Sequence, residues 1–144
     1  MKFYKKIKTV IAALLLVVSP IQLDAAAVEP GYEVMPCWEY MHGISIGLNF
    51  IGTNGYADIT VIPLDGITTY IEGTLSVYRR TGGDWTLVAS ASNSSNEELL
   101  IDVEFNAVYG QTYKAELVVT AYGANGSETD TVSRQDNCPK AEDS

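Results

Sequence analysis

The chain has 144 residues and carries 9 Lys and Arg against 18 Asp and Glu, which gives a formal net charge of −9 at pH 7. This acidic balance repels nucleic acid phosphates and anionic lipid surfaces, so we expect neither as a partner. One histidine and 2 cysteines provide no zinc-binding spacing. No glycine-rich phosphate loop precedes a helical pattern, which disfavours nucleotide chemistry.

The first 27 residues have the pattern of an export signal. Lysines within residues 1–8 precede an uninterrupted apolar run at 10–18, and three alanines stand at 25–27. A transmembrane helix needs about 20 apolar residues, so this shorter run predicts a signal peptide that is cleaved after Ala27. We expect residues 28–144 to be secreted and extracellular, with 17 acidic and 5 basic residues, a charge of −12, and no membrane association.

The remainder is the size of one domain. Residues 28–41 contain prolines and a glycine without a clear period, and they are interpreted as an extended lead-in. Trp38, Tyr40 and Met41 at its end are expected to cover one end of the core. Residues 42–138 are predicted to form a β domain, and residues 139–144 a disordered acidic tail.

Apolar side chains in the β domain recur at every second position, which is typical of half-buried strands. In chain order this pattern predicts strands at 43–51, 56–62, 70–80, 85–91 and 99–105, with turns between them. On the fourth strand, the residues expected to share the buried face are Trp85, Leu87, Ala89 and Ala91. Residues 93–96 are all Asn or Ser, which predicts a loop.

The clearest alternation lies within residues 108–126, between turn signals at Gly110 and at 123–126. The side chains that share its apolar face are Tyr113, Ala115, Leu117, Val119 and Ala121. This stretch is predicted to be the central strand of an antiparallel layer. The polar segment 127–134 then predicts a last strand at a sheet edge, where charges discourage pairing with other molecules.

Seven strands without a helical period predict an all-β fold. Sheets with one apolar face must cover those faces with each other, so we expect a seven-stranded antiparallel β-sandwich. A small closed barrel is the alternative, because the strand pattern does not separate the two.

Cys37 and Cys138 stand on either side of nearly all the predicted strands. In an exported chain an even pair of cysteines favours a disulfide over two free thiols. A bridge between them would close a loop of about 100 residues, to which the chain-entropy model assigns roughly 4.7 kcal/mol.

The run from Gly110 to Tyr113, the alternation after it and the glycine turn at 123–126 resemble the penultimate strand of fibronectin type III domains. The resemblance implies an immunoglobulin- or fibronectin III-like sandwich. It also implies that the Tyr113 hydroxyl bonds to backbone just upstream, forming a tyrosine corner. The sequence departs from the family at the second strand, where Ala57, Ile59 and Val61 stand in place of a core tryptophan.

The whole chain also resembles small exported β proteins of Gram-positive bacteria. The shared features are the lysine-rich leader, strands that contain serine, and a Gly-x-Trp hairpin at Gly83, Asp84 and Trp85. That group has no well-assigned activity, so the resemblance implies an uncharacterized secreted protein and no mechanism.

No catalytic set is evident. His42 is the one histidine, it begins a predicted strand, and no nucleophile motif surrounds any serine, so we expect a surface histidine and not an enzyme. No cofactor is expected. Turn residues whose oxygens suit calcium lack an ordered spacing, which leaves a calcium site open; they are Asp65, Asp84, Asn93, Asn96, Glu97 and Asp130.

Three tyrosines, Tyr70, Tyr78 and Tyr122, fall with Val118 on faces that should point outward. Aligned across neighbouring strands, they could form a platform for sugars or a protein. The first functional hypothesis is an exported non-catalytic interaction or structural module with an extracellular protein or glycan partner. The alternative is a carbohydrate-binding module that uses these tyrosines, and a third is a small hydrolase or an inhibitor of one, carried by carboxylates or a loop.

Overall fold

The structure, a computed structural model, describes residues 38–140, which form two antiparallel β-sheets. The seven strands are β1 (Met41–Ile51), β2 (Asn54–Pro63), β3 (Thr68–Thr81), β4 (Asp84–Ser95), β5 (Leu99–Asn106), β6 (Thr112–Gly123) and β7 (Gly126–Asn137). One sheet has the order β1-β2-β5 and the other β4-β3-β6-β7. The predicted all-β antiparallel sandwich is confirmed, with β6 inside its sheet and the polar β7 at an edge.

The core lies between the two sheets and follows the predicted alternation. Every second residue of β6, from Tyr113 to Ala121, is fully buried, while the residues between them are exposed or half-buried. The same alternation places Ile59 of β2, Leu75 of β3 and Ile101 of β5 in the interior. Each sheet therefore presents one apolar face, and burial of the two faces against each other is the main stabilising contribution.

Two tight hairpins fix the register within the sheets. β1 and β2 are joined through Gly52, with φ of 61°, and β3 and β4 through Gly82, with φ of 64°. Glycine adopts this left-handed conformation without the steric cost that other residues have. β2 ends at Pro63, which cannot donate to a ladder, and the chain then crosses to the other sheet.

The predicted tyrosine-corner contact is present at the start of β6. The backbone N–H of Val108 donates to the hydroxyl oxygen of Tyr113 at 2.8 Å. The Tyr113 ring is buried and packs against Phe50 and Phe105, with centroid distances of 5.6 and 5.3 Å. The tyrosine therefore joins the loop before β6 to the end of the core.

The segment before β1 is fastened to the edge strand β7. The Glu128 carboxylate accepts hydrogen bonds from the backbone N–H groups of Glu39, at 3.1 Å, and Tyr40, at 2.9 Å. The indole N–H of Trp38 donates to the carboxylate of Asp130. Tyr40 and Met41 are buried and Trp38 packs against the core, so the prediction that these residues cover one end of the core is confirmed.

We expect the Glu128 contact to make stability depend on pH. Burial raises the pKa of the Glu128 carboxyl above its ordinary value, although the two backbone donors oppose that shift. A raised pKa in the folded state means that the stabilising contribution is complete below the ordinary pKa and is lost as pH rises through the raised one. The variant Glu128→Gln keeps an acceptor without the buried charge, so it should gain stability relative to wild type between about pH 4.5 and about pH 7.

Urea unfolding of both proteins at the two pH values measures this difference. Glu98→Gln is the control, because it removes the same charge from an exposed position. An equal gain in Glu98→Gln would assign the effect to net charge and contradict a role for burial of Glu128.

The prediction for the buried face of β4 was half wrong. Ala89 and Ala91 pack against the core, but Leu87 is 55% exposed and Trp85 lies on the outer face. The register between β3 and β4 shifts at Val77 and Tyr78, where Val88 is the extra residue. An extra residue reverses the facing of the side chains on one side of a bulge relative to those on the other, so Trp85 and Leu87 face outward while Ala89 and Ala91 face the core.

The predicted loop at residues 93–96 was also wrong, since β4 continues to Ser95. Ser94 and Asn93 pair with Glu72 and Gly73 of β3. The Asn93 side chain further donates to the backbone carbonyl of Leu100 at 3.0 Å. Cross-strand pairing and this bridge to β5 override the low strand preference of Asn and Ser.

The cysteine bridge remains a prediction, because Cys37 lies outside the described residues. Cys138 is buried, its thiol lies 3.5 Å from the carbonyl oxygen of Gly52, and burial raises the pKa of that thiol.

The predicted signal peptide at residues 1–27 and most of the lead-in also lie outside the described residues, as do residues 141–144 of the tail. Within residues 38–140, no helix is long and apolar enough to cross a membrane.

Candidate functional site on the outer face of the four-stranded sheet

The outer face of the sheet β4-β3-β6-β7 carries the three tyrosines singled out in the sequence. Tyr70 and Tyr78 belong to β3 and Tyr122 belongs to β6, and all three alternate with buried residues. Their outward direction was predicted from the period of two. The register between β3 and β6 determines which of these tyrosines are neighbours.

Tyr70 and Tyr122 are direct cross-strand partners. Their ring centroids lie 5.8 Å apart, with an interplanar angle of 44°. Tyr78 is eight positions further along β3, roughly 25 Å away, and therefore does not join this pair. The structure thus forms a pair of tyrosines at one end of the face and leaves the third at the other end.

Glu72 completes the tyrosine pair, and the sequence analysis missed it. The hydroxyl of Tyr122 donates to Oε2 of Glu72 at 2.6 Å. This hydrogen bond is the main reason that the pKa of Tyr122 is raised, with burial and the Glu72 and Tyr70 charges acting in the same direction. Glu72 follows Tyr70 by two positions, so the strand period was a signal that the two share a face.

A groove of about 630 Å³ runs beside the tyrosine pair across β4, β3 and β6. Its lining is mostly polar and comprises Tyr70, Glu72, Gly73, Thr74, Ser92, Asn93, Ser94, Val118 and Thr120. Glu72 is the one ionisable acid or base among these lining residues other than the tyrosine. The groove is open to solvent, so it can hold part of an extended ligand.

Hydroxyl groups pair across the strands along this face. Thr74 and Ser92 hydroxyls lie 2.7 Å apart, as do those of Thr120 and Thr129. Within each pair one hydroxyl donates to the other, which leaves one hydrogen and several lone pairs free for a ligand. The face therefore offers ordered hydrogen-bonding groups beside an aromatic surface, an arrangement suited to binding polar molecules with apolar patches.

The other end of the face carries the positive charge of this sheet. The Lys114 ammonium lies 5.3 Å from the Tyr78 ring centroid and 4.8 Å from that of Trp85. Arg80 lies 5.5 Å from the Trp85 ring. The Tyr78 and Trp85 rings thus each contact a cation of the same chain. Tyr78 is therefore less available to an external ligand than Tyr70.

Neither the candidate base nor the candidate calcium ligands form a second site within residues 38–140. His42 is exposed, and no hydrogen bond or ion pair engages its ring within that range. The acids considered for calcium are not brought together, because the described residues contain no group of three His, Cys, Asp or Glu that could hold a metal ion.

No protein-family model and no curated protein matches the amino-acid sequence of this chain. The functional interpretation therefore depends on the geometry of the outer face.

Proposed function

We propose that this chain is an exported, non-catalytic interaction module that binds an extracellular partner through the outer face of its four-stranded sheet. The observation that carries the proposal is the groove beside the Tyr70–Tyr122 pair. The groove is polar and open with Tyr70 as its aromatic wall, which suits an extended polar ligand that has both flat apolar patches and hydroxyl groups. Export is supported by the basic, apolar and small-residue segments of residues 1–27.

We also propose that the sandwich is of the fibronectin type III-like kind. The hydrogen bond between Val108 and Tyr113 supports this assignment. So does the position of β4, which pairs with β3, because the fourth strand of an immunoglobulin constant domain lies in the other sheet. The absence of a tryptophan on β2 is the main departure.

Carbohydrate binding is the second candidate function, and the tyrosine pair specifically favours it. Aromatic rings provide flat contact area at low ordering cost, and sugar rings present C–H faces that match it. The adjacent hydroxyls of Thr74 and Ser92 can exchange hydrogen bonds with sugar hydroxyls. A protein partner could also bind this surface, but it would depend less than a sugar on hydrogen bonds to the paired hydroxyls.

Sedimentation of the purified protein with insoluble polysaccharides, combined with measurement of released sugars, tests both proposals. We expect binding without turnover, and a decrease in affinity of about tenfold, equivalent to about 1.4 kcal/mol, in Tyr70→Ala. Tyr56→Ala is the control, because Tyr56 lies on the outer face of the other sheet.

Release of soluble sugars that is lost on a single carboxylate substitution would overturn the non-catalytic assignment. Equal binding by Tyr70→Ala and wild type would show that the binding site does not lie on this face. An absence of binding to any polysaccharide would contradict the carbohydrate candidate and leave the interaction module with a protein partner.

A further inference from the structure

We infer that the groove beside Tyr70 and Tyr122 recognises glycans that carry free amino groups, such as oligomers of glucosamine. This inference rests on the carbohydrate-binding function proposed above and assigns the chemical class of the ligand. It is carried by the position of Glu72 between an aromatic pair and a polar groove. An ammonium group on a sugar ring would meet a carboxylate and two aromatic rings at that point.

The Glu72 carboxylate is available to a cation. Its Oε2 accepts the Tyr122 hydroxyl, and no hydrogen bond to Oε1 is present among residues 38–140. An ionised carboxylate has about four lone-pair sites, so one tyrosine donor leaves most of them open. Glu72 is also exposed, which allows a ligand to reach it.

No basic side chain lines the groove to neutralise Glu72. On this face Lys114 and Arg80 lie toward the Tyr78 end, where both contact the Trp85 ring. That end is roughly 25 Å from Tyr70 along β3. At physiological salt the Debye length is about 8 Å, so these cations are screened from the groove.

The tyrosine rings reinforce the preference for a cation. A cation within about 6 Å of a tyrosine ring centroid is attracted by the negative face of the ring. The ring centroids of Tyr70 and Tyr122 are 5.8 Å apart, so one ammonium group can approach both. Residues 28–144 carry 17 acids against 5 bases, and this charge draws cationic ligands and repels anionic glycans.

The decisive experiment compares two ligands that differ in one group. Isothermal titration of the purified protein at physiological salt with hexamers of glucosamine and of N-acetylglucosamine measures the contribution of the amine. We expect wild type to bind the free amine form about tenfold more tightly. This preference should disappear when pH is raised until the amine loses its proton.

Three variants separate the contributions. Glu72→Gln keeps an acceptor for the Tyr122 hydroxyl but removes the carboxylate, so it should reduce the preference for the glucosamine hexamer from about tenfold to about threefold or less, with the tyrosine rings and the net charge supplying the remainder. Tyr70→Ala should weaken both hexamers, because it removes the aromatic surface. Tyr56→Ala on the other sheet should leave both affinities unchanged.

The outcomes distinguish this inference from the function on which it rests. Binding of the acetylated hexamer as tightly as the free amine would overturn the inference and leave carbohydrate binding intact. Binding of neither hexamer, with no other glycan bound, would overturn both. A preference that is undiminished in Glu72→Gln would contradict the role of Glu72. Tighter binding of oligolysine than of the glucosamine hexamer would mean that the groove binds a basic peptide and not a glycan.

Discussion

Replacing Leu117 with alanine is expected to lower the free energy of unfolding by about 2 to 5 kcal/mol. Leu117 is fully buried in the central strand β6 and pairs with Leu75 of β3. Its side chain and that of Leu99 from the opposite sheet close over Gly73, where an added Cβ would lie 3.2 Å from each. Truncation would leave a cavity at the point where the two sheets meet, and packing on both sides limits collapse.

The neighbouring residue provides the control for Leu117. Val118 lies on the outer face of the same strand and is 43% exposed, so Val118→Ala should change stability by no more than about 0.5 kcal/mol. Urea unfolding followed by tryptophan fluorescence measures both variants. Similar losses in the two variants would mean that the faces of β6 are assigned wrongly, and with them the interior of the sandwich.

The period of two predicted the interior of this protein well where strands are regular. On β2, β3, β5 and β6 the residues expected to be buried are buried. The alternation is unbroken over these residues, and the apolar faces of the strands lie against the opposite sheet. β4 is the exception, since the bulge beside Val77 turns Trp85 and Leu87 outward. The position of a bulge depends on pairing between two strands, and the sequence of one strand does not reveal it.

The candidate site shows the same division between local and long-range information. The outward direction of Tyr70 and Tyr122 follows from alternation, but the two are 52 positions apart in the sequence. Their contact depends on the antiparallel register of β3 and β6. Glu72 could have been found as a neighbour of Tyr70 on one face, whereas its hydrogen bond with Tyr122 required the register.

Substitutions of Tyr113 should separate the contribution of the corner hydrogen bond from that of the ring. Tyr113→Phe removes the acceptor of the Val108 N–H, which lies at 2.8 Å, and should lower the free energy of unfolding by about 1 to 2 kcal/mol. Tyr113→Ala also removes the ring between Phe50 and Phe105 and should cost about 3 to 5 kcal/mol.

Hydrogen exchange identifies where the stability of Tyr113→Phe is lost. The Val108 amide should exchange faster in Tyr113→Phe than in wild type, because its partner is gone while the ring still fills the core. Tyr109→Phe is the control, since Tyr109 lies in the same loop and is 38% exposed, and it should leave both stability and Val108 exchange unchanged. If Tyr113→Phe unfolds like wild type with unchanged Val108 exchange, the hydroxyl contributes nothing, and the tyrosine is retained for its ring alone.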